Sequence, residues 1–207
     1  MRTVVSLSCV VLFACAAWAG TSTTDFSSGL GPWHVIDNTS STTAAVDGVL
    51  RCTYVDAGGS NDQWFEQVVF NYKSGVDPEF RLSGDYTFQA DVLMATLFAD
   101  SDFGIGTDVG INAGSARGFS THLGVMRDSV DYNISGEDQW IVIQHNWSWS
   151  YDWDTYLPIP SDTDVVTLKI ERAGDTVTFS ASFDGGPFQV VPNTITTLGM
   201  RDPIQLS

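Results

Sequence analysis

Aromatic side chains are concentrated in one short segment of the chain. Residues 147 to 156 include three tryptophans and two tyrosines. Trp147, Trp149, Tyr151 and Trp153 are spaced by two positions, so a continuous extended segment would present all four rings on one side. Flat aromatic rings stack on the apolar C–H faces of sugars, and interspersed Ser and Asp side chains can hydrogen-bond sugar hydroxyls. The pattern predicts a glycan-binding platform, and it is equally compatible with a strand that buries its aromatic side chains in a core.

Pairs of carboxylates are a second arrangement that could perform chemistry. A retaining glycosidase holds two carboxyl groups about 5 Å apart, one as nucleophile and one as general acid. The chain has four glutamates, no two within five positions of each other, so a glutamate pair could form only between strands. Aspartates spaced by two do occur among Ser, Thr and Tyr residues, in segments typical of loops, and they keep an Asp-based glycoside hydrolase or lyase open as an alternative. These pairs are Asp100 with Asp102, Asp152 with Asp154, and Asp162 with Asp164.

Metal binding is indicated only at one short segment. Asp100 and Asp102 lie close to several glycines, and their carboxylate oxygens could bind a structural calcium ion. A solvated loop explains the same residues, and the twelve-residue calcium-binding loop of EF-hand proteins is not present. His34, His122 and His145 are far apart in sequence and lack the paired spacing of a zinc site. We therefore expect structural or surface roles for the three histidines.

Alternation of apolar and polar residues with period two recurs along the chain and predicts strands. It is clear from Tyr86 to Met94, and again from Asp164 to Val191, where turn residues at 173–175 and 184–187 predict a three-stranded meander. We find no segment of ten or more residues with a helical apolar period. This many strands in one domain predict an all-β fold, a two-sheet antiparallel β-sandwich. Weaker strands are predicted at 49–55, 63–71, 102–111, 118–126 and 139–147.

Two segments resemble the concanavalin A-like lectin and glucanase superfamily, in particular its bacterial, laminin G-like members. One is the run Asp25-Phe26-Ser27-Ser28-Gly29-Leu30-Gly31-Pro32-Trp33, and the other is the meander with Leu168-Lys169-Ile170-Glu171-Arg172, Gly174-Asp175 and Asp184-Gly185-Gly186. The resemblance implies a jelly-roll sandwich that holds carbohydrate on a concave sheet or on edge loops, often with a structural calcium ion. The Glu-x-Asp-x-x-Glu pattern of the catalytic members is not found in this chain.

The first nineteen residues have the pattern of an export signal. Arg2 precedes an apolar run from Val4 to Ala17, and Ala17-Trp18-Ala19 forms a small-residue cleavage site. A rival interpretation makes Cys15 the lipid-bearing residue of a lipobox. We predict a signal peptide at 1–19 and a single β-sandwich domain at 20–207. The last residues of this domain, Asp202–Ser207, are either a very short strand or the point at which the domain is truncated. No later apolar run reaches the roughly 18 residues that cross a bilayer, so we expect a secreted or cell-surface protein, extracellular or periplasmic.

The charge balance limits the classes of partner. Nine basic residues face 25 acidic ones, giving a formal net charge of -16, and this excess disfavours nucleic acid as a partner. The leading hypothesis is a secreted, non-catalytic carbohydrate-binding, lectin-like domain whose partner is a polysaccharide or glycan. The alternatives are the Asp-based hydrolase or lyase, and a structural or adhesive surface domain without a sugar ligand.

Overall fold

The structure is a computed structural model. It describes the backbone of residues 2–10, 27, 33–36, 42–46, 49–55, 67–70, 84–98, 108–115, 120–128, 134–147, 151–196 and 204–206. It describes side chains within 84–95, 97, 109–113, 121–128, 134–144 and 155–192, and at 27 and 45.

Strands form nearly all of the regular structure in these residues. The first half of the chain contains β1 (Arg2–Val10), β2 (Trp33–Ile36), β3 (Thr42–Val46), β4 (Val49–Val55), β5 (Gln67–Phe70), β6 (Tyr86–Leu93) and the single-turn helix α1 (Met94–Phe98). The second half contains β7 (Asp108–Ser115), β8 (Ser120–Arg127), β9 (Trp140–Trp147), β10 (Tyr151–Pro158), β11 (Val165–Ala173), β12 (Thr176–Phe183), β13 (Gln189–Thr196) and β14 (Ile204–Leu206).

The strands assemble into two main antiparallel sheets. Sheet 1 has the order β13-β12-β11-β6-β1-β4-β3, and sheet 2 has the order β10-β9-β8-β7-β14. A separate two-stranded pair joins β2 to β5. The predicted meander at 164–191 is confirmed as β11, β12 and β13, which pair in sequence order along one edge of sheet 1.

Among the described residues, an apolar core lies between the two sheets and explains why they pack together. Along β6, Tyr86, Phe88, Ala90 and Val92 are buried, while the residues between them are only partly buried. The other strands of sheet 1 contribute Leu168 and Phe179, among others. Sheet 2 supplies Ile111, Leu123 and Val142 to the same cluster. The prediction of an all-β chain with two sheets in a sandwich-like arrangement is confirmed, and its physical basis is the period-two burial of apolar residues.

Aspartates at the turns of sheet 1 bind backbone amides. Asp184 adopts a φ of 50°, in the β12–β13 connection. Its Oδ1 accepts hydrogen bonds from the N–H groups of Asp164 at 2.9 Å and Val165 at 2.8 Å, where β11 begins. Asp85 Oδ1 similarly accepts the N–H of Gly174 at 2.7 Å, in the β11–β12 turn. These carboxylates stabilise the meander by satisfying turn amides, as short acidic side chains commonly do.

The strand β1 lies between β4 and β6 in sheet 1. Leu7 is opposite Val92 of β6 and Leu50 of β4, and Cys9 is opposite Ala90. These positions belong to the segment that we expect to act as an export signal, and that expectation stays a prediction. Among the residues that the structure describes, no helix has the length and apolar character needed to span a membrane.

Candidate functional site

The aromatic segment forms the end of a hairpin in sheet 2. Sequence alternation suggested one extended segment through residues 147–153, but β9 ends at Trp147 and β10 begins at Tyr151. A single strand from 140 to 158 would be about 60 Å long, far beyond the usual strand length. The return of the chain instead pairs β10 with β9, so that Tyr156 lies opposite Ile143 and Leu157 lies opposite Val142.

The register of the hairpin brings two of the predicted aromatic residues side by side. Trp147 is directly opposite Tyr151 on β10, and on its other side it is opposite Ser120 of β8. Trp149 lies outside the described residues. Trp147 and Tyr151 were predicted to share a face, and the structure pairs them across two strands rather than along one.

A β-bulge sets the position of Trp153. Asp152 pairs with Asn146 and Thr155 pairs with Gln144. Between these pairs β10 has two residues, Trp153 and Asp154, whereas β9 has one, His145. Bulges redirect the chain and often occur next to functional sites. Sequence alternation alone therefore cannot assign Trp153 to a face of the sheet.

The positions of Trp147 and His145 fall on the face of sheet 2 that points away from sheet 1, which we call the outer face. Val142 belongs to the core between the sheets, whereas Ile141 and Ile143 belong to a second, separate cluster. Because successive residues of a strand alternate between faces, positions 145 and 147 share the face of 141 and 143. The register thus assigns the backbone position of residue 147 to the outer face.

The second cluster is capped by a short loop that a buried carboxylate holds in place. Met126, Ile141 and Ile143 are almost fully buried, and Ile134 and Tyr156 pack against them. Asp128 follows β8 and is only 1% exposed. Its carboxylate accepts hydrogen bonds from the N–H of Ser135 at 2.6 Å and from the Ser135 hydroxyl. Sequence reasoning did not single out Asp128, because nothing in its local pattern indicates that residues 134 and 135 fold back onto it.

The backbone positions of two of the three histidines are opposed in sheet 2. His122 of β8 is directly opposite His145 of β9, and on its other side it is opposite Asn112 of β7. The imidazole of His122 lies over Gly124, where a Cβ would come within 2.5 Å of Nε2. From their wide spacing in the sequence, the histidines were expected to have structural or surface roles. They are 23 positions apart, and only the pairing of β8 with β9 brings them together.

Of the three aspartate pairs, only Asp162 with Asp164 lies within the described side chains. Asp162 and Asp164 are exposed on the connection before β11, while Asp152 and Asp154 are separated by the register shift of β10. Asp100 and Asp102, the predicted calcium ligands, lie outside the described residues. Among the described side chains, no group of three or more His, Cys, Asp or Glu residues is arranged to hold a metal ion.

The outward surface of sheet 1 presents a row of paired polar groups. The Thr167 hydroxyl donates a hydrogen bond to Asp91 Oδ1 at 2.7 Å. Lys169 Nζ lies 2.9 Å from Glu171 Oε2 and 4.4 Å from the centroid of the Phe188 ring. Phe188 is 40% exposed. Since these polar groups are paired with one another, this surface resembles an ordinary solvated face. Phe188 provides an exposed aromatic side chain that can serve as a control for variants of Trp147.

Among the positions whose backbone the structure describes, candidate binding residues are therefore most concentrated on the outer face of sheet 2. The pair Trp147–Tyr151 lies beside the row Asn112–His122–His145, and β10 ends the sheet on that side. No protein-family model and no curated protein matches this chain. The geometry of this face is consequently the basis for assigning a function.

Proposed function

We propose that this protein is an exported, non-catalytic carbohydrate-binding domain. It binds a polysaccharide or glycan on the outer face of sheet 2, and its stacking residues are drawn from Trp147, Trp149, Tyr151 and Trp153. The observation that supports this function best is the cross-strand pairing of Trp147 with Tyr151. The two positions share a sheet face that does not pack against sheet 1.

The chemistry of this surface suits a sugar chain. Directly opposed residues on antiparallel strands have Cβ atoms about 4.5–5.5 Å apart, so a tryptophan and a tyrosine there can offer neighbouring apolar surfaces to a sugar. Ser120 is on the third strand of the same row, and a hydroxyl group at this position can exchange hydrogen bonds with a sugar hydroxyl. Because β10 ends sheet 2 in the described pairing, a polymer can run past this edge.

Three acidic side chains in the described residues have structural partners, which makes these three poor candidates for a catalytic pair. Asp91 accepts the Thr167 hydroxyl, Asp128 accepts the amide of Ser135, and Asp184 accepts two amides at the start of β11. A glycosidase needs one carboxyl group free to protonate a leaving group and a second free to attack. Carboxylates that serve as turn and loop acceptors do not meet this requirement.

The finer features of the proposal follow from the sequence. We propose a concanavalin A-like jelly roll as the specific form of the sandwich, on the resemblance of residues 25–33 and 166–188 to that superfamily. We propose export through the signal at 1–19, and a structural calcium ion on Asp100 and Asp102. Secretion places the glycan surface where extracellular polysaccharides are available.

A glycan and polysaccharide array tests this function. The protein is applied with calcium and with a chelator, and both retained protein and released sugars are measured. We expect retention on at least one glycan without release of sugar. Release of sugar would establish the hydrolase or lyase instead. Absence of both retention and release would leave a structural or adhesive role as the remaining function. Retention that is lost with the chelator would support the calcium part of the proposal, and unchanged retention would contradict a calcium requirement.

A further inference from the structure

We propose that an apolar patch at the β13 edge of sheet 1, formed by Phe188 and Val190, is a contact surface between two copies of this chain. The observation that carries this proposal is the exposure of both side chains. Phe188 is 40% exposed and Val190 is 53% exposed, and among the described side chains they are the exposed large hydrophobic ones. The patch lies on sheet 1, so it uses none of the residues proposed to bind glycan.

The two exposed side chains belong to one patch. Val190 of β13 is opposite Ser180 of β12, and Ser180 is opposite Lys169 of β11. Opposed residues of paired strands share a face of the sheet, so Val190 lies in the row of Lys169 on the outward surface of sheet 1. Phe188 reaches the same row, because its ring centroid is 4.4 Å from Lys169 Nζ. Phe188 and Val190 are therefore neighbours on this surface.

The position of β13 at the edge of sheet 1 makes the patch accessible to another copy. In the described pairing, β13 is the end strand of the sheet. Edge strands commonly carry charged residues, proline or bulges that prevent another chain from pairing with them. β13 has Pro192 and an irregular register, but it has no charged side chain. These features hinder continued addition of strands and leave a side-chain contact that ends at two copies.

The distribution of charge identifies the partner as a second copy. Residues 185–200 contain no Asp, Glu, Lys or Arg, and after residue 24 no other uncharged run of the chain is as long. Two copies with a formal net charge of -16 each repel one another, and this repulsion opposes contact least where acidic residues are missing. The cation beside the patch, Lys169, is already paired with Glu171 at 2.9 Å. A basic partner would instead bind the acidic remainder of the surface.

The size and charge of the patch predict how the association depends on conditions. A two-fold contact uses the same patch on both copies, and an uncharged apolar patch can pack against itself. Because the patch is small, the dimer should be weak and should form only as the protein concentration rises. Salt screens the repulsion between the acidic copies. We therefore expect the association to strengthen with ionic strength, unlike an association held by ion pairs.

Sedimentation velocity of the full chain, over a range of protein and salt concentrations, tests the proposal. We expect a monomer that converts to a dimer as the protein concentration rises, with more dimer at high salt. Val190→Lys places a charge within the patch and should weaken self-association by at least about tenfold. Ala173→Lys is the matched control, since it adds the same charge at an exposed residue at the end of β11. We expect the control to associate like the wild type.

Two further measurements separate a change at the contact from a folding defect. Because the Val190 side chain is 53% exposed, Val190→Lys should unfold at the same temperature as the wild type. Val190→Ile keeps an apolar side chain in the patch and should retain the association. Equal association in the wild type and in Val190→Lys, or association that weakens with salt, would overturn the proposal. A wild-type protein that stays monomeric at every concentration would also overturn it and would leave the patch to a partner of another kind.

Discussion

Replacing Phe179 with alanine is expected to destabilise the protein by about 3–5 kcal/mol. Phe179 lies on β12 with 0% of its surface exposed, and it belongs to the core that joins the two sheets. Across the strand pair it is opposite Ile170, which is equally buried. Truncation removes apolar contacts and leaves a cavity that rigid neighbouring strands cannot collapse to fill. Since the free energy of unfolding of domains of this size is only about 5–15 kcal/mol, this one change should remove a large fraction of it.

The matched control for this prediction is Phe188→Ala, which makes the same chemical change at a residue that is 40% exposed. Phe188 contacts the Lys169 ammonium, and loss of such an exposed contact costs only about 0.5–1 kcal/mol. Urea unfolding followed by circular dichroism measures both variants. Equal destabilisation by the two substitutions would show that Phe179 is not part of a core between the sheets.

Replacing Gly110 with alanine is expected to destabilise the protein by roughly 2–4 kcal/mol, near the upper end for single overpacking changes. A Cβ at position 110 would lie 2.1 Å from the carbonyl oxygen of Leu123 and 2.5 Å from the Cα of Gly124. Both atoms belong to the backbone of β8, which pairs with β7 at this point. Relief of the clash requires the two strands to separate, with loss of ladder hydrogen bonds in the middle of sheet 2.

Gly124→Ala is the control, because Gly124 is the cross-strand partner of Gly110. The atom closest to its added Cβ is Nε2 of His122, at the end of a side chain that can rotate. We therefore expect a cost of less than about 1 kcal/mol for Gly124→Ala, measured by thermal unfolding of both variants without added metal. A larger loss of stability in Gly124→Ala than in Gly110→Ala would contradict the register of β7 and β8.

Much of the strand framework could be predicted from the sequence, because alternation reflects burial directly. The predicted strand from Tyr86 to Met94 corresponds to β6, which ends at Leu93. Turn residues around Gly174 and Asp184 marked the ends of the strands in the meander correctly. The weaker predicted strands at 49–55, 118–126 and 139–147 agree closely with β4, β8 and β9. Each of these predictions uses only local information: the side-chain period of an extended chain and the conformational preferences of turn residues.

The arrangement of the site could not be predicted in the same way, since it depends on pairing between distant segments. Trp147 and Tyr151 follow an unbroken alternation, and only the need of β10 to pair with β9 shows that the chain turns between them. The opposed positions of His122 and His145 depend on the register of two strands joined by the twelve-residue connection 128–139. A register change of one residue would move His145 to the opposite face. The bulge at residues 153 and 154 has no composition signal, because neither residue is a glycine.

The burial of Asp128 illustrates a further limit of sequence patterns. Acidic residues are almost never fully buried unless they are paired, so a sequence interpretation assigns them to the surface. Asp128 is 1% exposed because the amides and hydroxyl near Ser135 compensate its charge. That compensation involves residues seven positions away. No local periodicity indicates such a contact.

The most direct test of glycan binding is the affinity of the double variant Trp147→Ala with Tyr151→Ala for the glycan that the wild-type protein retains. Phe188→Ala, which removes an exposed aromatic ring from the connection before β13, serves as the control, and calorimetry measures all three proteins. We expect the double variant to bind at least about tenfold more weakly, a loss of about 1.4 kcal/mol, with the control unchanged. Wild-type affinity in the double variant, or an equal loss in Phe188→Ala, would contradict the assignment of glycan binding to the outer face of sheet 2.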